Sequence, residues 1–242
     1  MIWAASELID TLVFLFIWMV LFGKEEAIGG FTLKETVTYL IGVGLISNIV
    51  QIYFGMQIST DIRTGQLSNI LVKPVSYPLT RIVRAVAEKP LDLLIRLGVY
   101  LGVIFFFREK FILNKHFLSV LFFLLSIAFA FVISAFFSFI VGCISFWLIM
   151  GRGGFHLART INAIFSGRYG PLSFFPPLFQ KIASLLPFAS TRYFPMLIYL
   201  RKVSGGEIFK GFLVQLFWIA ILYLISRYLW QKGLRRYEGV GI

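Results

Sequence analysis

Long apolar runs, separated by short polar segments, extend along the whole chain. The longest, from Leu118 to Ile149, contains no Asp, Glu, Lys or Arg. A membrane-spanning helix needs only about 20 apolar residues, so this run predicts a transmembrane segment. Because similar runs recur along the chain, the pattern predicts an all-α membrane protein whose fold consists of the spanning helices themselves.

The apolar runs predict about six spans in a single transmembrane domain that comprises residues 1–242. The spans are placed at residues 8–22, 37–58, 91–107, 117–147, 155–165 and 209–229. The fourth is too long for a straight crossing and is expected to tilt. A polar loop, residues 59–90, connects the second and third spans. A proline-rich segment, residues 166–208, is expected to contain re-entrant or interfacial helices.

Composition and charge agree with a membrane location, since 59% of the residues are hydrophobic, 14% are charged and the formal net charge is +12. Basic residues that flank membrane helices meet anionic lipid head groups, so we expect membrane lipid and no nucleic acid as the partner of this charge. Charge does not decide the orientation. If Arg168 and Arg192 are counted as loop residues, the loops on the two sides of the membrane contain nearly equal numbers of basic residues.

The polar loop after the second span contains a first short amphipathic helix. Asp61 is its expected N-cap, Leu67, Ile70 and Leu71 form one apolar face, and Pro74 ends it. A short amphipathic helix beside a membrane either lies in the interface or forms a docking surface for a soluble partner. The pattern alone leaves both interpretations open.

A second short helix follows, with Ser76 as its expected N-cap and Pro78 in its first turn. Its apolar positions recur at i, i+3, i+4 and i+7 and are Leu79, Ile82, Val83 and Val86. The opposite face carries Thr80, Arg81 and Arg84. This spacing predicts a second amphipathic helix.

The second span carries small and polar residues at steps of three and four, which predicts a single helical stripe. The stripe consists of Gly44, Asn48, Gln51, Gly55 and Ser59. Such a stripe is typical of a close-packed helix interface with interhelical hydrogen bonds. The alternative is the lining of a transport path that alternately packs and opens, and the sequence does not decide between the two.

The sequence contains no recognisable catalytic motif. Gly23-Lys24 lacks the upstream glycine and the following Ser or Thr of a phosphate-binding loop, and His116 and His156 do not have a zinc-binding spacing. We therefore expect a protein without catalytic, metal-binding or cofactor-binding residues of its own. Carboxylates are scarce inside the apolar runs after Asp92, which disfavours a proton-driven carrier.

Three sets of residues carry a family resemblance. A Gly-x-Leu-x-x-x-Leu-x-x-Pro run follows the second span, as Gly65, Leu67, Leu71 and Pro74. A proline-rich series precedes the last span, as Ser166-Gly167, Pro171-Leu172, Phe175-Pro176, Leu186-Pro187-Phe188 and Pro195. The chain closes on Trp230-x-x-Gly233-x-x-x-Tyr237. In order and spacing these motifs resemble the permeases of type-2 ATP-binding-cassette (ABC) exporters, and the last resembles a subgroup with paired, non-identical permeases.

The resemblance implies a non-catalytic permease of the cell inner or plasma membrane, with both termini cytoplasmic. It implies two copies of an ABC ATPase as partners, which would hold the ATP and Mg, and a second permease, with a sister subunit favoured over a second copy of this chain. The ATPase-coupling residues would be Arg63, Gly65, Leu67, Ile70, Leu71, Lys73 and Pro74. The outer gate would include Pro171, Phe175, Pro176, Pro187 and Phe188.

Two other classes of protein remain open from the residues alone. A membrane scaffold or immunity-type protein would use the polar loop only to dock a partner. A secondary transporter would use carboxylates within its spans, and Glu7 and Asp10 at the first span keep that possibility. A transport assay separates the three classes. An exporter shows efflux that depends on ATP, a secondary transporter shows flux that depends on an ion gradient, and a scaffold shows neither.

Overall fold

The computed structural model describes residues 2–23, 25–52, 54–87, 89–148 and 151–237, with all their side chains except those of residues 2–7, 91 and 92. The helices are α1 Ile2–Phe22, α2 Leu33–Val50, α3 Phe54–Arg63, α4 Gln66–Leu71, α5 Tyr77–Ala87, α6 Lys89–Phe106, α7 Phe117–Cys143, α8 Arg152–Phe165, α9 Pro177–Ser184, α10 Tyr193–Tyr199 and α11 Gly205–Arg236. Short 3₁₀ turns lie at Ile144–Phe146, Leu172–Phe174 and Ala189–Thr191.

Within the described ranges, three helical segments are long and apolar enough to cross a membrane: Leu33–Arg63, Phe117–Phe146 and Gly205–Arg236. Leu8–Phe22 and Leu93–Phe106 are shorter apolar helices. The predicted all-α membrane fold is therefore confirmed. Helices α7, Phe117–Cys143, and α11, Gly205–Arg236, cover the residues predicted for the fourth and last spans, and α11 extends beyond the predicted span at both ends.

The predicted fifth span, residues 155–165, belongs to α8, which has 14 residues. At 1.5 Å per residue such a helix is about 21 Å long, shorter than the hydrocarbon core of about 30 Å. The count of six spans therefore stays a prediction.

A two-stranded hairpin precedes α2 and marks one end of the bundle, which we call the hairpin end. Its strands are β1 Ala27–Ile28 and β2 Phe31–Thr32, which pair antiparallel. Gly29 and Gly30 form the connection with φ of 52° and 79°, the left-handed values that a tight type I′ turn requires. Thr32 then caps α2 through a reciprocal bond with Glu35, so the hairpin leads directly into the second span.

The predicted second span, residues 37–58, is not one continuous helix. The prediction of a single helical stripe, Gly44, Asn48, Gln51, Gly55 and Ser59, is therefore wrong. The α2 helix ends at Val50, Gln51 has an extended backbone, and α3 begins at Phe54. The first N–H groups of a helix lack partners within it. Here the Gly55 N–H donates to the Ser138 hydroxyl of α7 at 3.1 Å, so the new helix start is satisfied by a neighbouring helix. Because α3 continues to Arg63, the polar loop begins later than residue 59.

Gly55 allows α3 to approach α7 closely, and this contact yields a testable prediction. A Cβ on Gly55 would lie 2.6 Å from the carbonyl oxygen of Ser138, whereas a Cβ on Gly98 of α6 would meet nothing within 4 Å. We expect Gly55→Ala to lower the free energy of unfolding by about 1–3 kcal/mol, because the helices must separate. Gly98→Ala is the matched control and should leave stability unchanged or slightly higher. Unfolding by sodium dodecyl sulfate in mixed micelles measures both variants, and equal effects would contradict the close contact.

The α7 helix lies at the centre of the bundle and packs against α2, α3, α10 and, most extensively, α11. Gln215 of α11 is fully buried at this contact. Its side-chain amide donates to the carbonyl oxygens of Ser126 at 3.1 Å and of Ser190 at 2.8 Å. Because lipid supplies no hydrophobic force between helices, such buried polar bonds contribute to their association.

The proline-rich segment between α8 and α11 folds over the hairpin end. The Trp18 indole donates to the Tyr169 carbonyl and the Tyr39 hydroxyl to the Gly167 carbonyl, both at 2.7 Å. Lys202 forms an ion pair with Glu35 at 2.8 Å. The segment contains two short α-helices, α9 and α10, neither long enough to cross a membrane.

The opposite end of the bundle carries α4 and α5, and we call it the α4 end. The Tyr77 ring stacks on Trp230 of α11, with ring centroids 5.0 Å apart. The hydroxyls of Ser68 and Tyr237 lie 3.1 Å apart. These contacts place the C-terminal end of α11 beside α4.

Candidate functional site: an exposed knob and an arginine-lined cavity

Asp61 does not cap α4, contrary to the sequence prediction. It lies inside α3 with 4% of its surface exposed, and Gly65, at φ 72°, occupies the N-cap position of α4. The Asp61 carboxylate instead accepts hydrogen bonds from the Tyr77 hydroxyl and from the guanidinium of Arg81. Burial raises the pKa of Tyr77 well above its ordinary value, so the hydroxyl stays protonated and remains a donor. This buried cluster ties α5 to α3.

The ion pair turns α5 so that its apolar side faces outward. Arg81 is only 8% exposed, while Leu79, Val83 and Val86 are 59%, 57% and 46% exposed. The helix is amphipathic as predicted, but its position is set by one buried charge pair and by the Tyr77 ring. Nothing in the periodicity distinguishes Arg81 from Arg84, so the sequence offers no signal for this arrangement.

The seven predicted coupling residues lie together around α4 but differ in exposure. Leu67 is fully buried in the core of the α4 end, where it belongs to a cluster with Phe54 and Tyr77. Leu71 is 41% exposed and its neighbour Val72 is 86% exposed. Those that are at least partly open to the surroundings are Arg63, Gly65, Ile70, Leu71, Lys73 and Pro74. We call residues 70–74 the α4 knob.

The five predicted gate residues lie in the proline-rich segment, with different degrees of burial. Pro171, Pro187 and Phe188 are buried, Phe175 is half-buried and Pro176 is exposed. The ring of Phe188 packs edge-on against Phe137 of α7 at 5.0 Å between centroids. This contact joins the proline-rich segment to the central helix.

The five stripe residues do not share one environment. A Cβ on Gly44 would meet the Tyr100 side chain at 2.3 Å, and Ser59 is buried. The Asn48 side chain donates to the Gly44 carbonyl and accepts from the Arg96 guanidinium. These contacts are those of helix packing. Two members, Gln51 and Gly55, also line a cavity.

Arg192 is a buried element that sequence reasoning missed. It lies in the connection between the 3₁₀ turn Ala189–Thr191 and α10, but only 2% of its surface is exposed. Its guanidinium donates to the hydroxyl of Ser47 at 2.8 Å, to the amide oxygen of Asn162 at 2.7 Å and to the hydroxyl of Ser166 at 2.9 Å. One side chain thus joins α2, α8 and the segment before α10. The available signal was an arginine after two hydroxyl residues, Ser190-Thr191, inside an apolar stretch.

A cavity of about 420 Å³ lies between α3, α7 and α8. Its lining includes the side chains of four arginines, which are Arg96, Arg152, Arg159 and Arg192. The remaining walls are largely apolar or weakly polar, with Phe137, Val141 and Phe155 among them. A cavity of this size suffices for a drug-sized ligand.

The chain is thus a bundle of apolar helices with an arginine-lined cavity beside α3 and an exposed apolar knob at one end. The chain matches the family described as ABC-2 family transporter protein over residues 8–241, and it belongs to that family. It is therefore an ABC-2-type transport permease, a membrane subunit of a kind that partners an ABC ATPase. No curated protein and no solved structure matches the chain.

Proposed function

We propose that this chain is the permease subunit of an ATP-driven exporter, forms half of the translocation path and couples to a separate ATPase through the α4 knob. The observation that supports this most directly is the knob itself. Leu71 and Val72 are apolar and exposed, although the helix that carries them is anchored by the buried side chain of Leu67. An exposed apolar tip on an anchored helix is suited to dock into a groove of a partner protein.

The buried cluster at the base of the knob supports a mechanical route. A push on α4 would pass to α3 through Leu67, which is buried in one cluster with Phe54 and Tyr77. It would then pass to α5, because Asp61 of α3 binds Tyr77 and Arg81 of α5. The break at Gln51 separates α3 from α2, so α3 can tilt without carrying the whole span with it. The cavity lies beside α3, and such a tilt would change its width. Gln51 and Gly55 line that cavity, which favours a path-lining role for this part of the stripe.

The partner arrangement follows from the same proposal. ATP and Mg would be held by two ATPase copies, and a second permease, preferably a sister subunit, would supply the other half of the path. The C-terminal end of α11 lies beside α4 through the Ser68–Tyr237 contact. An ATPase docked on the knob would therefore place this terminus on the cytoplasmic side of the cell membrane. The proline-rich segment with Pro171, Phe175 and Phe188 would then form the outer gate.

Co-purification tests this function. The tagged chain, extracted from its native membranes in mild detergent, should elute with an ABC ATPase in near-equal amount, and a second permease should elute with it. Mass spectrometry of the eluted subunits identifies both. Elution without any ATPase, under conditions that keep other membrane complexes intact, would contradict the proposal and favour a scaffold or a secondary carrier. ATP-dependent export in vesicles reconstituted with the purified complex then tests the direction of transport.

A further inference from the structure

The helix α5 turns apolar side chains away from the bundle. Leu79, Val83 and Val86 are exposed, whereas Tyr77 and Arg81 are buried against neighbouring helices. With 3.6 residues per turn, the three exposed side chains lie within about 60° of one another, so they form one continuous stripe. A helix whose outer side faces water shows the reverse arrangement, with its apolar stripe toward the core. The outer side of α5 is therefore suited to an apolar environment.

Contacts with α3 and α11 fix this rotation of α5. The Asp61 carboxylate of α3 accepts hydrogen bonds from the Tyr77 hydroxyl and the Arg81 guanidinium. The Tyr77 ring stacks on Trp230 of α11. Thr80 is also exposed, and it lies about 100° from Leu79 around the helix axis. The outward surface of α5 thus has an apolar stripe beside a polar edge, which is the pattern of a helix that lies in a membrane–water interface.

Aromatic residues mark the level of α5 along the bundle. Trp147, which follows α7, and Trp230 of α11 belong to one cluster with Tyr77, the first residue of α5. Trp and Tyr are enriched where a membrane meets water. Beyond Trp230, α11 exposes Lys232 and Arg235, and basic side chains that follow a span meet lipid head groups. These residues indicate that α5 begins at the level of the head groups.

The helix that follows α5 presents a second apolar surface. α6 begins at Lys89, two positions after the end of α5, packs against α5 and covers most of the predicted third span. Its exposed side chains include Leu94, Leu101 and Phe105. In a span such side chains are surrounded by lipid tails, which are as apolar as leucine. Because α5 leads into this helix, the bilayer that surrounds α6 can also cover the stripe of α5.

We propose that α5 lies in the head-group region of the bilayer, with Leu79, Val83 and Val86 inserted at the boundary with the acyl chains. The occupant of this apolar surface is membrane lipid, whereas the α4 knob remains open to a protein partner. The polar loop is then anchored to the bilayer by one helix and available for docking through the other. This inference goes beyond the proposed function, because the lipid contact requires no ATPase.

Spin labels on single cysteines test the position of α5. The full-length chain, with the buried Cys143 replaced by alanine, is labelled at one position at a time and reconstituted into vesicles of dioleoyl phosphatidylcholine and dioleoyl phosphatidylglycerol. Oxygen concentrates in the bilayer and a nickel chelate stays in water, so the ratio of the two accessibilities measures depth. Labels in the variants Leu79→Cys, Val83→Cys and Val86→Cys should lie about 5–10 Å below the head-group surface. Labels in the controls Thr80→Cys and Val72→Cys should remain accessible to the nickel chelate.

A charge on the stripe provides a second readout. Val83→Asp should move the labels at Leu79 and Val86 toward water by at least about 5 Å, because a carboxylate is not tolerated at the acyl boundary. Thr80→Asp is the matched control, since it adds the same charge on the polar edge of the same helix, and it should leave both depths unchanged. Val83 and Thr80 are both exposed, so neither change disturbs the core.

Other occupants of the stripe give different results. If the labels at Leu79, Val83 and Val86 are as accessible to the nickel chelate as the label at Thr80, the stripe faces water and the proposal fails. Loss of access to both reagents in vesicles that contain only this chain would show that a second copy covers the stripe. The same loss only in the complex with the ATPase would assign the stripe to the ATPase, and either result overturns the lipid contact. A chain whose labels are inserted but which elutes without an ATPase would retain this contact while the proposed function fails.

Discussion

Replacing Arg192 by leucine is expected to destabilise the bundle strongly, with a loss of about 3–5 kcal/mol in the free energy of unfolding. Three hydrogen bonds to a charged group disappear at about 1.5 kcal/mol each. Ser47, Asn162 and Ser166 then lose their guanidinium donor. The bundle gains no compensating attraction from the new apolar side chain, because lipid tails are as apolar as leucine.

The measurement is unfolding of the purified chain in mixed micelles by sodium dodecyl sulfate, followed by near-ultraviolet circular dichroism. Arg227→Leu provides the matched control, since it removes an exposed arginine of α11 with the same change in side chain. Arg192→Lys keeps the charge but loses the planar fork of donors, so we expect an intermediate loss. If Arg192→Leu unfolds at the same point as Arg227→Leu, the buried guanidinium does not hold the helices together.

Charging the α4 knob is expected to detach the ATPase without unfolding the permease. The double change Leu71→Asp with Val72→Asp places two carboxylates on side chains that are 41% and 86% exposed. Loss of an apolar contact at the centre of an interface costs about 2 kcal/mol or more, so the ATPase recovered with the tagged chain should fall by roughly thirtyfold. The amount of permease inserted in the membrane should not change.

Two comparison variants make this result interpretable. Leu178→Asp on α9 is the matched control, because Leu178 is 71% exposed at the hairpin end, far from the knob. It should keep the ATPase bound. Leu67→Asp differs from both, because Leu67 is fully buried and its replacement should unfold the α4 end and lower the amount of inserted protein. Normal ATPase recovery from the Leu71/Val72 variant would show that the knob is not the docking surface.

The arrangement of polar contacts explains how a bundle in lipid maintains one structure. Gln215 joins α11 to α7, Arg192 joins α2 to α8, and the Asp61–Arg81 pair joins α3 to α5. In a bilayer the hydrophobic effect places helices in the membrane but does not choose their neighbours. These few buried polar side chains, together with close approaches such as that of Gly55, choose the neighbours.

Much of the architecture was predictable from hydropathy. The uncharged run after His116 predicted α7 with nearly the observed bounds, because apolar length alone decides whether a segment can span. The polar loop predicted a short helix that Asp61 begins and Pro74 ends. The helix is α4, but it begins after Gly65, because Asp61 belongs to α3. The break at Gln51 was not predicted. The partner that satisfies the new helix start, Ser138, is 83 positions from Gly55, so the local sequence does not reveal it.

The candidate site was only partly accessible from the sequence. The knob was recognisable because its apolar face and its terminating proline are local features. The different environments of Leu67 and Leu71 were not recognisable, because both residues belong to one apolar face. Leu67 is buried only through its packing against residues of neighbouring helices, such as Phe54 and Tyr77. The four arginines of the cavity lie on three separate parts of the chain, and each alone resembles an ordinary interfacial residue.

The sequence by itself determined that this protein is a helical membrane protein, where its long apolar helices lie and which loop carries short amphipathic helices. These properties depend on the composition of each segment and on the spacing of its apolar residues, and both can be read from the segment alone. The tertiary structure alone decided the break in the second span, the inward turn of Arg81, the burial of Arg192 and the cavity that four arginines share. The reason is physical: a charged side chain in a membrane takes its role from the groups around it, and those groups come from distant parts of the chain.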